Sequence, residues 1–470
     1  MDIVKIIAKG FKDKGFEIYE VGGCVRDSLL DKRLTDIDLA TDAPPEEIKK
    51  ILEGFGHVYT IGEKYGTIGL SYGTWIIEAT TYRGKVYPTD SRKPDVTFGN
   101  SLIEDLSRRD FTINALARDP IDGTIIDLFE GNKDLNRRVI RCVGKDEDRF
   151  NEDPLRMMRA IRFACQLGFS VNVKISDAKR LEIVSKERIH DELVKIITSP
   201  NPVFGIVFLC ETGLMDYIIP DFMKLKNINQ GHYHVKDAFE HSLEVFDKCT
   251  EMDYRENNLI FRLAGLLHDI AKPETKRIDK TGVHFYNHHN VGAVKARAIL
   301  ECLKFRTDII DKVDTLIKFH MAPVMLERVY NEGKLKKKMA MRLVRKVGEE
   351  DILMLLGLVT CDLTTTVCPR YQFLKSLEDM IIECLSEKPD SMTSPLSGND
   401  IIEIFGLEPS RIVGDIKRYL TGLVVDGVLK AGDKEKAIEF AKLKMSKMEA
   451  EEIEKDITET GEEIDIWNDC

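Results

Sequence analysis

The chain has 470 residues, 43% hydrophobic and 32% charged, and its 69 basic and 80 acidic side chains leave a formal net charge of −11. That length predicts two to four domains with sizeable cores, and the balance is that of a soluble globular protein rich in helix formers. No apolar run approaches membrane-spanning length and the opening MDIVKIIAKGFKDKG lacks the apolar core of a signal peptide, so a cytoplasmic protein with no membrane partner is expected.

Ile3, Ile6, Ile7 and Phe11 share one helical face at the start of the chain, the spacing of an amphipathic helix. A short strand (Ile18, Tyr19, Val21), a Gly22-Gly23 turn and a helix opening near Val25 follow, then a strand carrying Asp36 and Asp38. A glycine pair between strand and helix lets backbone N–H groups close on an anion, and the helix dipole adds to the attraction. Arg26, one turn in, can reach the same phosphates. Asp36 and Asp38 project from one face of their strand. Paired carboxylates repel unless a cation lies between them, and hard oxygen ligands suit Mg²⁺ held together with substrate phosphates. Either feature alone reads as a surface turn or a solvated strand. Together, in this order, they point to phosphoryl or nucleotidyl transfer by a two-metal route.

GGCVRD followed by DIDLAT resembles the head of the class II tRNA nucleotidyltransferase family, which includes CCA-adding enzymes and bacterial poly(A) polymerases. The family pattern continues at RRDFTINA (108–115), DLFEGNKD (127–134) and EDPLRMMRAIR (152–162). The resemblance implies a polymerase-β-like head. It also makes Glu78 a candidate third carboxylate, although a solvated strand residue fits that position equally.

Between these motifs, Asp42 is expected to cap a short helix with Pro44 and Pro45 in its first turn, ending near Leu52. HVYTIG, TIGLSYG and WIIEATTY alternate as successive strands. Residues 83–105, with Gly84, Pro88, Pro94 and Gly99, read as a mobile loop; in the family a loop here is associated with switching to ATP after two cytidines. RRDFTINALA (108–117) reads as a helix. By resemblance Gly23, Arg26 and Arg109 hold a triphosphate, while Asp110 and Asn114 read the ribose hydroxyls.

Asp153, Arg156, Arg159 and Arg162 recur every three residues, a stripe on one helical face whose ordinary explanation is solvation. The resemblance gives Asp153 and Arg156 the task of reading the incoming base, with Arg159 and Arg162 supporting the stripe or the phosphates. The chemistry fits that task. Cytosine and adenine both present an amine donor beside a ring-nitrogen acceptor, which a carboxylate and a guanidinium complement. Uracil and guanine present the opposite polarity, a mismatch worth on the order of 10⁴-fold in a site built for hydrogen bonding.

Residues 172–237 have the apolar spacing of packed helices, the region that holds the tRNA minihelix in the family. Beyond them His241, His268 with Asp269, His288, His320 and Asp362 stand in helical contexts. This ordered set resembles an HD domain, whose ligands hold one or two divalent transition metals that activate water for phosphoester hydrolysis; His289 reads as a surface neighbour of His288. Lys334 to Lys346 carries seven positive charges and no acid, a basic amphipathic helix that is a solvated face or a phosphate track. A Gly-Leu-Glu-Pro break falls at 406–409. Residues 449–470 hold ten acids and one lysine, so the other 448 are near −2 and a basic binding face remains compatible with the acidic total. The ten cysteines form no CxxC pair and read as reduced, mostly buried thiols.

The expected architecture is α+β: a nucleotidyltransferase head (1–140), an all-α neck and body for the base and tRNA (141–236), an HD domain (237–365), a helical tail (366–448) and a disordered acidic end (449–470). The expected function is template-independent addition of C and A to the tRNA 3′ end from CTP and ATP, with Mg²⁺ on Asp36 and Asp38. The rivals are a poly(A) polymerase or A-adding enzyme of the same family and, from another class, an HD phosphohydrolase with a non-catalytic head.

Overall fold

A computed structural model describes residues 3–34, 36–84, 99, 101–231, 236–366, 372–386, 394–425, 428–430 and 432–446. Most of the expected 83–105 loop and the whole 449–470 segment lie outside the described residues.

The head follows its hydrophobic alternation. Helix α1 (Ile3–Asp13) precedes β1 (Ile18–Val21), α2 (Gly23–Leu29), β2 (Asp36–Thr41), α3 (Pro45–Leu52), β3 (His57–Tyr59), β4 (Thr67–Tyr72) and β5 (Trp75–Thr81). Then come α4 (Leu102–Ser107), β6 (Leu116–Arg118), β7 (Ile125–Asp127) and α5 (Gly131–Arg137). The seven strands form one sheet in the order β3-β4-β5-β2-β1-β6-β7, with β2 and β5 parallel and the other pairs antiparallel.

Alternate strand residues serve opposite faces. Ile37, Leu39, Ile68, Leu70, Ile77 and Ala79 turn to one face, where they pack with Val4, Ile7 and Phe11 of α1 and Ile48 and Leu52 of α3. Truncating one such residue, as in Leu39→Ala, costs about 2–5 kcal/mol. On the opposite face Val21, Ala40 and Ala117 meet Leu102 and Leu106 of α4. This second cover stops short of Asp36 and Asp38, which leaves that end of the sheet open.

Three local expectations are corrected. Residues 108–117 are not a helix: a 3-10 turn at Thr112–Asn114 leads straight into β6, because Leu116 and Ala117 pair into the sheet and tertiary pairing overrides helical spacing. Asp42 does not cap α3; its carboxylate accepts from the Glu17 backbone N–H at 2.7 Å, and Pro44 takes the cap position. The basic helix begins at Lys337, not Lys334, and runs to Val347.

Past the head the chain is helical. Arg156–Leu167, Lys186–Ile197 and Pro202–Glu211 pack around Met158, Ile161, Leu193, Ile196 and Leu209. The same continuous core extends into helices Ala238–Glu251, Asn258–Leu267, His288–Cys302, Thr307–Phe319 and Ile352–Thr364. The first of these starts where Asp237 accepts from the Glu240 N–H at 2.8 Å, an N-cap. A second, smaller core closes the tail around Ile401, Ile416, Leu420 and Ala441, and the 406–409 break is the left-handed Gly406 that ends helix Gly398–Phe405. Of the eight described cysteines seven are buried, and all are free thiols. Among the described residues no helix is long and apolar enough to cross a membrane.

Candidate active site and metal centre

The open end of the sheet forms one wall of a cavity of about 650 Å³, lined by Gly22, Gly23, Arg26, Asp36, Asp38, Arg109, Asp110, Asn114, Asp153, Arg156, Arg159 and Arg162. Every nucleotide-binding residue expected from the sequence is therefore on one surface. The wall also holds Arg83, Asp105, Arg108, Phe163 and Arg188, giving eight arginines against five carboxylates, a positive balance suited to a polyanion.

Gly22 has φ 74°, a conformation costly for other residues. A Cβ there would lie 2.7 Å from Arg109 Nη1, so glycine also lets the guanidinium lie across the turn. Arg109 is anchored by Asp105, at 3.2 and 2.9 Å from Nε and Nη2. Asp105 is not among the residues expected from the sequence, although its position four residues before Arg109 is the local signal of such a pair.

Asp38 sits in register with Glu78 across β2 and β5, two residues on from the Asp36 and Ile76 pair. Burial, and next the Asp36 carboxylate, push the Asp38 carboxyl up to about 6. The Tyr59 hydroxyl stands 3.4 Å from Glu78. An all-oxygen set that repels itself fits a hard divalent cation.

Asp110 is enclosed. Its Oδ2 accepts from Arg159 Nε at 2.9 Å and Nη2 at 2.5 Å, while Oδ1 accepts from the Phe111 N–H and the Asn114 amide. Burial raises this carboxyl, but Arg159 and these hydrogen bonds outweigh it and hold it below the usual range. Asn114 Oδ1 in turn accepts from Arg26 Nη1 at 2.7 Å, joining α2 to the neck.

The expected four-residue stripe is corrected at its start. Asp153 has extended backbone and precedes the helix, which begins at Arg156. Asp153 pairs with Arg188 at 2.7 Å, and Arg156 with Glu152 at 2.7 Å and the Arg108 carbonyl at 2.9 Å. Arg162 pairs with buried Glu192 at 2.8 Å. Arg188 and Glu192 come from helix Lys186–Ile197, and no local pattern announces them.

The six HD residues also converge. His241, His268 and Asp269 form one group and Asp269, His288 and His320 another, each with ligand atoms within 4.8 Å of one another. Asp362 joins them, 3.0 Å from His241 Nε2. Nδ1 of His268, His288 and His320 lies 2.9, 2.8 and 2.6 Å from the carbonyls of Gly265, Phe285 and Ile317. A carbonyl demands Nδ1–H, so neutral His288 and His320 each offer an Nε2 lone pair inward, whereas at His268 burial is outweighed by Asp269, 3.0 Å from Nε2, which raises that imidazole above its ordinary value. Burial first, and then neighbouring imidazoles, push His320 down to about 3, and burial lowers His288. Two neutral rings thus turn their Nε2 atoms to one another at 3.2 Å, an arrangement a metal ion satisfies. Lys272, which the sequence reading passed over, lies 2.5 Å from Asp269 and donates to Gln230. His289 is only partly buried and contacts Asn290.

Family models match the chain in three stretches: Poly A polymerase head domain over 18–141, probable RNA and SrmB-binding site of polymerase A over 175–225, and HD domain over 238–355. These stretches stand in the order expected from the resemblance to class II tRNA nucleotidyltransferases. It is 46% identical over 228 residues to the CCA-adding enzyme of Levilactobacillus brevis, covering 47% of this chain and 56% of that protein. It is 50% identical over 216 residues to the CCA-adding enzyme of Lactobacillus delbrueckii subsp. bulgaricus, covering 45% and 54%. The matched stretch thus spans about half the length of these curated relatives. Among solved structures the Bacillus stearothermophilus CCA-adding enzyme in complex with CTP superposes with a TM-score of 0.63 at 26% identity, covering 94% of this chain and 98% of that one. The Thermotoga maritima CCA-adding enzyme complexed with tRNA shares the fold at a TM-score of 0.56 and 21% identity, covering 94% and 95%.

Proposed function

We propose that this chain is a class II nucleotidyltransferase that adds C and A to the 3′ end of tRNA from CTP and ATP, without a template and with release of pyrophosphate. The observation that carries the reading is a single cavity joining a Gly-Gly turn, a carboxylate pair and the Asp153–Arg156 wall. The N–H groups of the turn, Arg26 and Arg109 hold the triphosphate; Asp110 and Asn114 hold the ribose. Asp153 accepts from the exocyclic amine of C or A and Arg156 donates to the ring nitrogen, each exchanging its present partner, Arg188 or Glu152, for the base edge. Asp36 and Asp38, with Glu78 opposite, are the residues that would hold Mg²⁺. A cation held there would supply a lowered pKa at the primer hydroxyl and neutralising charge for the departing pyrophosphate. Such an enzyme works in the cytoplasm on tRNA.

The deciding experiment supplies tRNA lacking its CCA end with CTP alone, ATP alone, or both. Two C residues with CTP and one further A when ATP is added are expected; unlimited A incorporation without CTP would make the chain a poly(A) polymerase.

The inward-facing imidazoles support a second activity. His241, His268, Asp269, His288, His320 and Asp362 would hold one or two divalent transition metals, which would supply activated water for phosphoester hydrolysis. Asp36→Ala is expected to abolish nucleotide addition and spare this hydrolysis, and His268→Ala to do the reverse. Addition that survives Asp36→Ala would overturn the head assignment.

A further inference from the structure

Phe163 belongs to none of the motif stretches, yet three guanidiniums gather about its ring. The Arg162, Arg26 and Arg159 carbons stand 4.1, 5.1 and 5.5 Å from its centroid. Arg26 comes from α2 of the head and the other two from the neck helix, so one ring touches both sides of the cavity. Phe163 is 6% exposed, lines that cavity, and meets Phe111 edge-on at 5.8 Å and 81°.

Three like charges drawn to one point repel unless something negative lies among them. Asp27 pairs with Arg26, Asp110 with Arg159, and Glu192 with Arg162 at 2.8 Å and Arg159 at 3.8 Å. The remaining space is filled by the ring, whose π faces carry the negative part of its quadrupole and attract guanidiniums. An aliphatic side chain of similar bulk would fill the volume without that attraction.

We infer that Phe163 is a positioning residue for nucleotide binding: its ring seats Arg26 and Arg159 in the orientation that receives the triphosphate and ribose before substrate arrives. The inference rests on the nucleotide-binding reading of the cavity. It predicts a loss of nucleotide affinity separable from chemistry and from the fold.

The test compares full-length wild type with Phe163→Leu, Phe163→Tyr and a chain carrying pentafluorophenylalanine at 163, which keeps the shape and reverses the quadrupole. The readouts are KM for CTP and ATP, kcat, KM for tRNA, and the melting temperature. Phe163→Leu and the fluorinated chain are expected to raise KM for both nucleotides about tenfold, the scale of two weakened cation–π contacts. Their kcat and tRNA KM stay close to wild type, and Phe163→Tyr, which retains the aromatic face, recovers most of the affinity. Should Phe163→Leu fail to fold, the fluorinated chain decides. Unchanged nucleotide KM in the fluorinated chain, or equal impairment of the leucine and tyrosine variants, would overturn the role of Phe163 while leaving the cavity reading intact. A wild-type chain that adds no nucleotide at all would overturn the cavity reading, and this inference with it.

Discussion

Asp38 and Glu78 stand opposite one another in the parallel β2–β5 pair, their side chains on the same face of the sheet. With Asp36 they make three carboxylates where the sequence motif showed two. Asp38→Asn is expected to reduce nucleotide addition on the order of 1,000-fold, the several kcal/mol of charge stabilisation that a catalytic cation supplies. Glu78→Gln is expected to cost about 10–100-fold and to raise the Mg²⁺ concentration needed for half-maximal rate. A Glu78→Gln enzyme with wild-type Mg²⁺ dependence would remove Glu78 from the site.

The same crowding makes stability depend on pH. Asp38 rises from an ordinary 3.8 to about 6 in the folded chain, through burial first and then Asp36. A folded-state value above the unfolded one means the native state holds its proton longer. The stabilisation it gives is present below about pH 4 and is lost as pH rises through about 6. Without divalent metal, wild type is therefore expected to lose melting temperature relative to Asp38→Asn across that window. Mg²⁺ added at pH 7 should raise the wild-type melting temperature and leave the variant's nearly unmoved. Parallel pH profiles for the two proteins in chelator would contradict this.

Arg159 holds Asp110 with two nitrogens, and lysine can offer only one point charge. Arg159→Lys should lower stability by about 1 kcal/mol, below the usual range for a bond to a charged group because a third of the Arg159 side chain meets solvent and one charge contact survives. Urea titration would measure it. Nucleotide KM should rise in parallel, since Asp110 orients Asn114 and, through it, Arg26.

Elemental analysis of the purified chain should find a divalent transition metal retained by the HD cluster, because neutral His288 and His320 turn their Nε2 atoms together. His268→Ala or His320→Ala should lower that metal content and any phosphoester hydrolysis with it, leaving CTP incorporation intact. Full metal retention in both variants would show the cluster to be a buried hydrogen-bonded core.

Gly131 supplies a stability test away from any chemistry. A Cβ at this position would lie 2.2 Å from the Thr112 carbonyl oxygen, backbone that cannot swing aside. Gly131→Ala should destabilise the head by about 1–3 kcal/mol through overpacking. The Asp127 carboxylate, which accepts from the N–H groups of Gly131 and Asn132 at 2.8 and 2.9 Å, holds the same junction. An alanine variant as stable as wild type in urea would mean α5 shifts freely.

Much of the site was legible in the sequence because its chemistry is local. Gly22, Gly23 and Arg26 lie within five residues, Asp36 and Asp38 within three, and period-2 and period-3.6 patterns are read from neighbours along the chain. The misreadings share a cause. Arg108–Ala117 has helical spacing, yet pairing of Leu116 and Ala117 with β7, and of Ala117 with Val21 of β1, draws it into the sheet. Asp42 looks like a cap, yet a distant N–H at Glu17 reaches it first.

The sequence alone singled out the candidate residues, since a Gly-Gly turn, an Asp-x-Asp pair and the motifs that resemble a known family are all read from neighbours along the chain. Only the tertiary structure decided which of them face one another. The carboxylate partner of Arg162, the three guanidiniums around Phe163 and the Asp38–Glu78 pair join residues from separate elements, and long-range packing of those elements alone brings them within a few ångströms.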